Sequence, residues 1–135
     1  MTDTQSLLFA NEIFYQVFSD GNLEGMQKLW LKSDDIVCIH PGWTALRGYE
    51  DVVASWAAIL GSPDLSSIQP VKAVGRVLGK VGLVVCYEKL GGGHLVATNV
   101  FLFEGGKWQI IHHQAGPTSG ELGEHDLTEE IAQLH

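Results

Sequence analysis

Hydrophobic positions recur at helical spacing in the first 60 residues and at strand spacing in most of the rest. Over residues 4–19, Leu7, Leu8, Ile13, Phe14, Val17 and Phe18 predict an amphipathic helix, which Asp20-Gly21-Asn22 ends. Leu23, Met26, Leu29 and Trp30 predict a short second helix over residues 22–30. Residues 36–40 (Ile-Val-Cys-Ile-His) read as a short strand, stopped by Pro41-Gly42. Gly48 then leads into a third helical stripe over residues 49–60, formed by Val52, Val53, Trp56, Ile59 and Leu60 and closed by Gly61-Ser62-Pro63-Asp64. After it the period falls to two, or to short apolar runs, over residues 67–79, 81–90, 94–104 and 107–115. Helices first and a meander afterwards predict an α+β fold, with the helices packed on one face of an antiparallel sheet.

Residues 97–117 add a register. Gly105-Gly106 between two alternating runs reads as a two-residue hairpin turn. Counting outward from it, Glu104 faces Lys107, Phe103 faces Trp108, Phe101 faces Ile110 and Asn99 faces His112. Thr98, Val100 and Leu102 then share the opposite face with His113, Ile111 and Gln109. A polar pair, Asn99 and His112, is therefore expected among large apolar side chains, as in a binding pocket, with His113 turned outward.

Composition narrows the classes. The 135 residues suit one domain over residues 1–120, followed by an acidic tail over 121–135 with room for a short helix from Leu127 to Leu134. Hydrophobic residues make up 45% and charged residues 18%, which argues against disorder. Eight basic and sixteen acidic residues give a formal charge of −8, and no stretch gathers Lys or Arg into a stripe, so nucleic acid is not an expected partner. No apolar run is long enough to span a bilayer and the first residues do not read as a leader, so a cytoplasmic location is the expectation. Cys38 and Cys86 sit inside apolar strand-like runs, as buried thiols do.

The order of these residues carries a family resemblance. Phe14, then Asp20-Gly21-Asn22-Leu23-Glu24-Gly25, Trp30, Asp34-Asp35, His40-Pro41, Gly48 and Trp56, then Asn99-Val100-Phe101, Gly106-Lys107-Trp108 and His112-His113, resembles the nuclear-transport-factor-2-like superfamily. Within it the chain is similar to the SnoaL-like and ketosteroid-isomerase-like branch. The resemblance implies a cone-shaped roll of a curved, antiparallel (mixed) sheet wrapped by three N-terminal helices around one deep pocket. It also implies a homodimer packed sheet against sheet, here through the outer face expected to carry Thr98, Val100, Ile111 and His113. In the isomerases an aspartate base precedes a proline, at the place of His40 in this chain. A tyrosine donor of the first helix falls at Phe14, with Tyr15 about 100° further round. A protonated aspartate donor falls at Asn99.

An imidazole can act as a base near neutral pH, so His40, Asn99 and His112 are the candidate catalytic residues. Phe14, Tyr15, Trp43, Trp56, Tyr87, Phe101 and Trp108 are the candidate pocket walls. Each has a plainer alternative: a hydrogen-bonded histidine beside a turn, a satisfied polar pair in the core, or core aromatics. Gly91-Gly92-Gly93 leaves open which of Tyr87 and Glu88 faces inward. No pair of histidines has metal-site spacing and no phosphate-binding loop follows a strand, so neither metal nor cofactor is expected. The expected partner is a small apolar ligand. The expected chemistry is a cofactor-free isomerase, cyclase or dehydratase that moves a proton next to a carbonyl. A non-catalytic binding or oligomerisation module of the same fold is the alternative.

Overall fold

The computed structural model describes residues 2–62 and 67–119. The helix expected from Leu127 to Leu134, and the Pro63-Asp64 end of the turn after the third helix, lie outside the described residues.

Helix α1 (Asp3–Ser19) starts in a capping box: Thr2 accepts from the Gln5 backbone N–H, and the Gln5 side chain accepts in return from the Thr2 backbone. Asn22 caps α2 (Leu23–Leu29) through the Gly25 N–H at 3.0 Å. Strand β1 (Val37–Ile39), the two-residue β2 (Leu46–Arg47) and α3 (Tyr49–Leu60) follow. The meander comes last, with β3 (Ile68–Leu78), β4 (Val81–Leu90), β5 (Gly93–Glu104) and β6 (Lys107–Pro117). The expected elements are present, and β2 is an addition too short to leave a sequence signal.

The six strands form one open sheet in the order β2-β1-β6-β5-β4-β3. It is mixed, because β1 runs parallel to β6 while the other neighbours are antiparallel. The inner face is covered by the helices and buries Leu7, Phe14, Trp30, Val52, Trp56, Phe101 and Ile110. Each such side chain contributes roughly 1.5–3 kcal/mol by leaving water. Gly82 leaves room for Leu7: a Cβ there would meet Leu7 Cδ2 at 2.9 Å and Trp108 Cζ3 at 3.0 Å.

The β5–β6 register departs from the expected count. Gly105 and Gly106 have φ of +63° and +79°, as the tight turn requires, and Glu104↔Lys107, Phe103↔Trp108 and Phe101↔Ile110 pair as counted. Past Phe101, β6 carries one extra residue, Ile111, so Val100 faces His112 and Asn99 faces His113. A single inserted residue reverses which side chains point inward beyond it. His113 is therefore buried on the inner face instead of the outer one, and His112 is half-buried on the outer face instead of opposite Asn99. Thr98 and Val100 stay on the outer face as expected.

Candidate functional site

Alternation along β4 turns Gly82, Val84, Cys86 and Glu88 inward and Tyr87 outward. The parity left open by the three glycines thus falls to Glu88, and Tyr87 is not a pocket wall. Along α1, Leu7, Asn11 and Tyr15 stand four residues apart on the stripe that covers the sheet, so two polar side chains meet the inner face. Asn99 on β5 and His113 on β6 complete the group.

These side chains form one buried hydrogen-bonded network. The Asn99 amide nitrogen donates to Asn11 Oδ1 at 2.9 Å and to the Tyr15 hydroxyl at 3.1 Å. That orientation leaves Asn99 Oδ1 as the acceptor facing His113 Nδ1, which therefore carries the ring proton. Tyr15 donates to Glu88 Oε2 at 2.7 Å and accepts from the Cys86 thiol at 3.4 Å. His113 Nε2, left with a lone pair, lies 3.9 Å from Glu88 Oε2.

His40 sits beside this network but bonds elsewhere. The single Ser55 hydroxyl proton goes to the Val52 carbonyl at 2.6 Å, so His40 Nε2 donates to Ser55 Oγ at 2.8 Å. The lone pair of neutral His40 is consequently on Nδ1. Its ring centroid is 6.4 Å from that of His113, and the Trp56 ring packs against both.

Burial sets the protonation of the cluster. It pushes the Glu88 carboxyl up to about 7, with the Tyr15 hydrogen bond pulling the other way. It lowers His40 to about 4. Burial first, then the neighbouring imidazoles of His40 and His112, lowers His113 to about 3. Burial also raises Cys38 to about 12 and Cys86 to about 11, so both remain thiols. Neutral imidazoles thus stand beside an acid poised near neutrality. No group of three His, Cys, Asp or Glu side chains is spaced to hold a metal among the described residues.

A cleft of about 510 Å³ opens onto this floor. His40, Glu88 and His113 line it together with Phe18, Pro41, Trp43, Ile59, Leu90 and Leu95, and Trp43 is 46% exposed at its rim. The cleft does not extend to every expected wall. Phe14, Trp56 and Phe101 are buried core, with Phe14 and Trp56 packed against the His113 ring. Trp108 packs on Phe103 and donates to Ser6 Oγ at 3.0 Å, near the start of α1. Tyr15 enters through its hydroxyl, where the ketosteroid-isomerase resemblance pointed to Phe14. Of the three candidate catalytic residues, His40 lines the cleft, Asn99 lies behind His113, and His112 faces outward. Glu88, His113, Asn11 and Ser55 are additions. Glu88 was legible as one of two residues that could face inward, and the helical spacing of Asn11 and Tyr15 from Leu7 is a sign that could have found them.

The described residues contain no helix long and apolar enough to cross a membrane. The chain is 31% identical over 114 residues to the F-box protein SKIP8 of Arabidopsis thaliana, a match covering 83% of this chain and 49% of that protein. It therefore spans about half the length of that curated relative. Among solved structures, a candidate dehydratase of the NTF2-like family from Streptomyces avermitilis superposes with a TM-score of 0.80 at 30% identity, covering 87% of this chain and 97% of the other. A candidate calcium/calmodulin-dependent protein kinase type II association domain from Thiobacillus denitrificans gives a TM-score of 0.70 at 28% identity, covering 82% and 93%. Residues 8–118 match the model of the SnoaL-like domain, and the chain belongs to that family, within the NTF2-like fold.

Proposed function

We propose that this chain binds a small, largely apolar molecule in the Trp43-rimmed cleft and moves a proton on it, as a cofactor-free dehydratase or isomerase. The observation that carries this reading is the buried Glu88 carboxyl, 3.9 Å from the lone-pair nitrogen of His113 at the floor of that cleft. Membership of a family in which isomerase and dehydratase activities are common supports it, as does the likeness to the Streptomyces protein.

On a β-hydroxy carbonyl compound, His40 Nδ1 takes a proton from the carbon beside the carbonyl. The freed electron pair forms the carbon–carbon double bond and the carbon–oxygen bond to the hydroxyl breaks. Protonated Glu88 supplies the proton with which the hydroxyl leaves as water, while His113 Nε2 accepts that hydroxyl's hydrogen bond. Where no leaving group is present, the same acid returns a proton at a second carbon and the outcome is isomerisation. Each positioned acid or base contributes roughly 10²–10⁴-fold.

The test is proton exchange in heavy water, followed by proton NMR on a panel of cyclic β-hydroxy ketones. The wild-type chain should exchange the proton beside the carbonyl of the ketone that fits. His40→Ala and Glu88→Gln should each lose at least about 100-fold of that rate. Equal exchange by all three chains would refute the chemistry.

A second reading is self-association through the outer sheet face. Val74 and Val85 are 42% and 39% exposed there, on the face that also carries Thr98 and Val100. Similarity to the Thiobacillus association domain supports it. His113 plays no part in that surface, because it lies inside. Val85→Lys should shift the elution volume of the folded chain toward the monomer, and unchanged elution would reject this face.

A further inference from the structure

The cleft floor has a polarity that its residue types alone do not reveal. Ser55 spends its proton on the Val52 carbonyl and so fixes His40 as the Nε2–H form. Asn99 spends its amide protons on Asn11 and Tyr15 and so fixes His113 as the Nδ1–H form. Both hydrogen bonds to the imidazoles run into the protein, which leaves each ring with one unprotonated nitrogen. For His113 that nitrogen is the one facing Glu88 at 3.9 Å, and both residues line the cleft. That separation exceeds a direct hydrogen bond. An oxygen lying off the line between the two groups reaches both at ordinary hydrogen-bond length. Among the described residues, no Lys or Arg lines the cleft to offset the carboxyl.

From this arrangement we infer that the cleft selects neutral ligands that present a hydroxyl, placed to donate to His113 Nε2 beside the Glu88 carboxyl, and discriminates against carboxylates and against ligands that only accept. Ser55 and Asn99 are the positioning residues for this preference. The walls set the rest of the ligand: Phe18, Trp43, Ile59 and Leu95 offer apolar contact and no fixed charge.

The inference rests on the reading of this cleft as a ligand site and needs no turnover. Its test uses three probes on one skeleton, β-naphthol, its methyl ether and β-naphthoate, titrated into the full chain while the His40 and His113 ring signals are followed by NMR. Naphthol should bind about tenfold or more tighter than the ether, the value of one hydrogen bond left unmade, and naphthoate more weakly still. Long-range proton–nitrogen spectra of the free chain should show His40 protonated at Nε2 and His113 at Nδ1. Ser55→Ala should release the His40 preference and leave that of His113 in place. Equal or tighter binding of the ether or the naphthoate, failure of all three to perturb the two rings, or the opposite tautomers would each overturn the inference. A cleft that prefers naphthol but exchanges no ketone proton leaves the inference standing and removes the proposed chemistry. Proton exchange in a cleft without that preference does the reverse.

Discussion

His113 Nε2 and Glu88 Oε2 lie 3.9 Å apart, each held from behind by a side chain of a neighbouring element. Asn99 on β5 accepts from the far nitrogen of His113, and Tyr15 on α1 donates to the carboxyl. In the proposed reading, a ligand oxygen entering between this carboxyl and this imidazole would complete a relay. What distinguishes the site is the fixed direction of each proton.

The buried Glu88 carboxyl makes stability depend on pH. Burial raises Glu88 from 4.5 to about 7. Between those values the folded chain holds a proton that the unfolded chain has lost. The stability from this group is therefore complete below the unfolded value and is lost as pH rises through about 7. His40 and His113 act in the opposite sense, being lowered from 6.5 to about 4 and about 3. Their contribution is present above 6.5 and is lost as pH falls below it. Glu88→Gln removes only the first effect. The stability of the variant relative to wild type should rise between pH 4.5 and 7, by at most about 3 kcal/mol. Urea unfolding at several pH values reads this directly, and a difference independent of pH contradicts the buried acid.

Asn99 should matter to the fold as much as to the site. Asn99→Leu strands Asn11 Oδ1 and the Nδ1–H of His113, two buried groups that each cost roughly 1–3 kcal/mol without a partner. A loss of about 2–5 kcal/mol in denaturant unfolding is expected. Little or no loss would mean that the network is replaced by water or never forms.

Gly82 tests the packing of α1 on the sheet. Gly82→Ala places a methyl group against Leu7 and Trp108, at 2.9 Å from Leu7 Cδ2 and 3.0 Å from Trp108 Cζ3, and should destabilise by about 1–3 kcal/mol. Leu7→Val makes room for that methyl, so the double variant should be more stable than the sum of the two singles predicts. Strict additivity would place Leu7 elsewhere.

Much of the fold was legible because local signals agree with the global arrangement. Gly105-Gly106 fixes Phe103 opposite Trp108 and Phe101 opposite Ile110, and the count is right for as long as the ladder is regular. It fails at Ile111, where no glycine or proline marks the bulge. One extra residue then exchanges the faces of His112 and His113. The same blindness applied to Tyr87 and Glu88. Leu90 pairs with Gly93, so Gly91-Gly92 forms the turn, and three consecutive glycines give no hint of which two turn. Asn11 was not singled out, whereas Tyr15 was partly legible, as the residue next to Phe14 on α1. Ser55 was not, because its role comes from a carbonyl three residues back that claims its only proton. The apolar scaffold is written in periodicity, whereas the direction of each proton is written only in the folded contacts.

The most direct test of the central claim is the titration of Glu88 itself, followed by carbon NMR of its side-chain carboxyl in the full chain. An apparent pKa near 7, with His40 and His113 neutral through the same range, is the expected result. Titration near the ordinary value of 4.5 would contradict it, because Glu88 would then be a plain carboxylate with no proton to give.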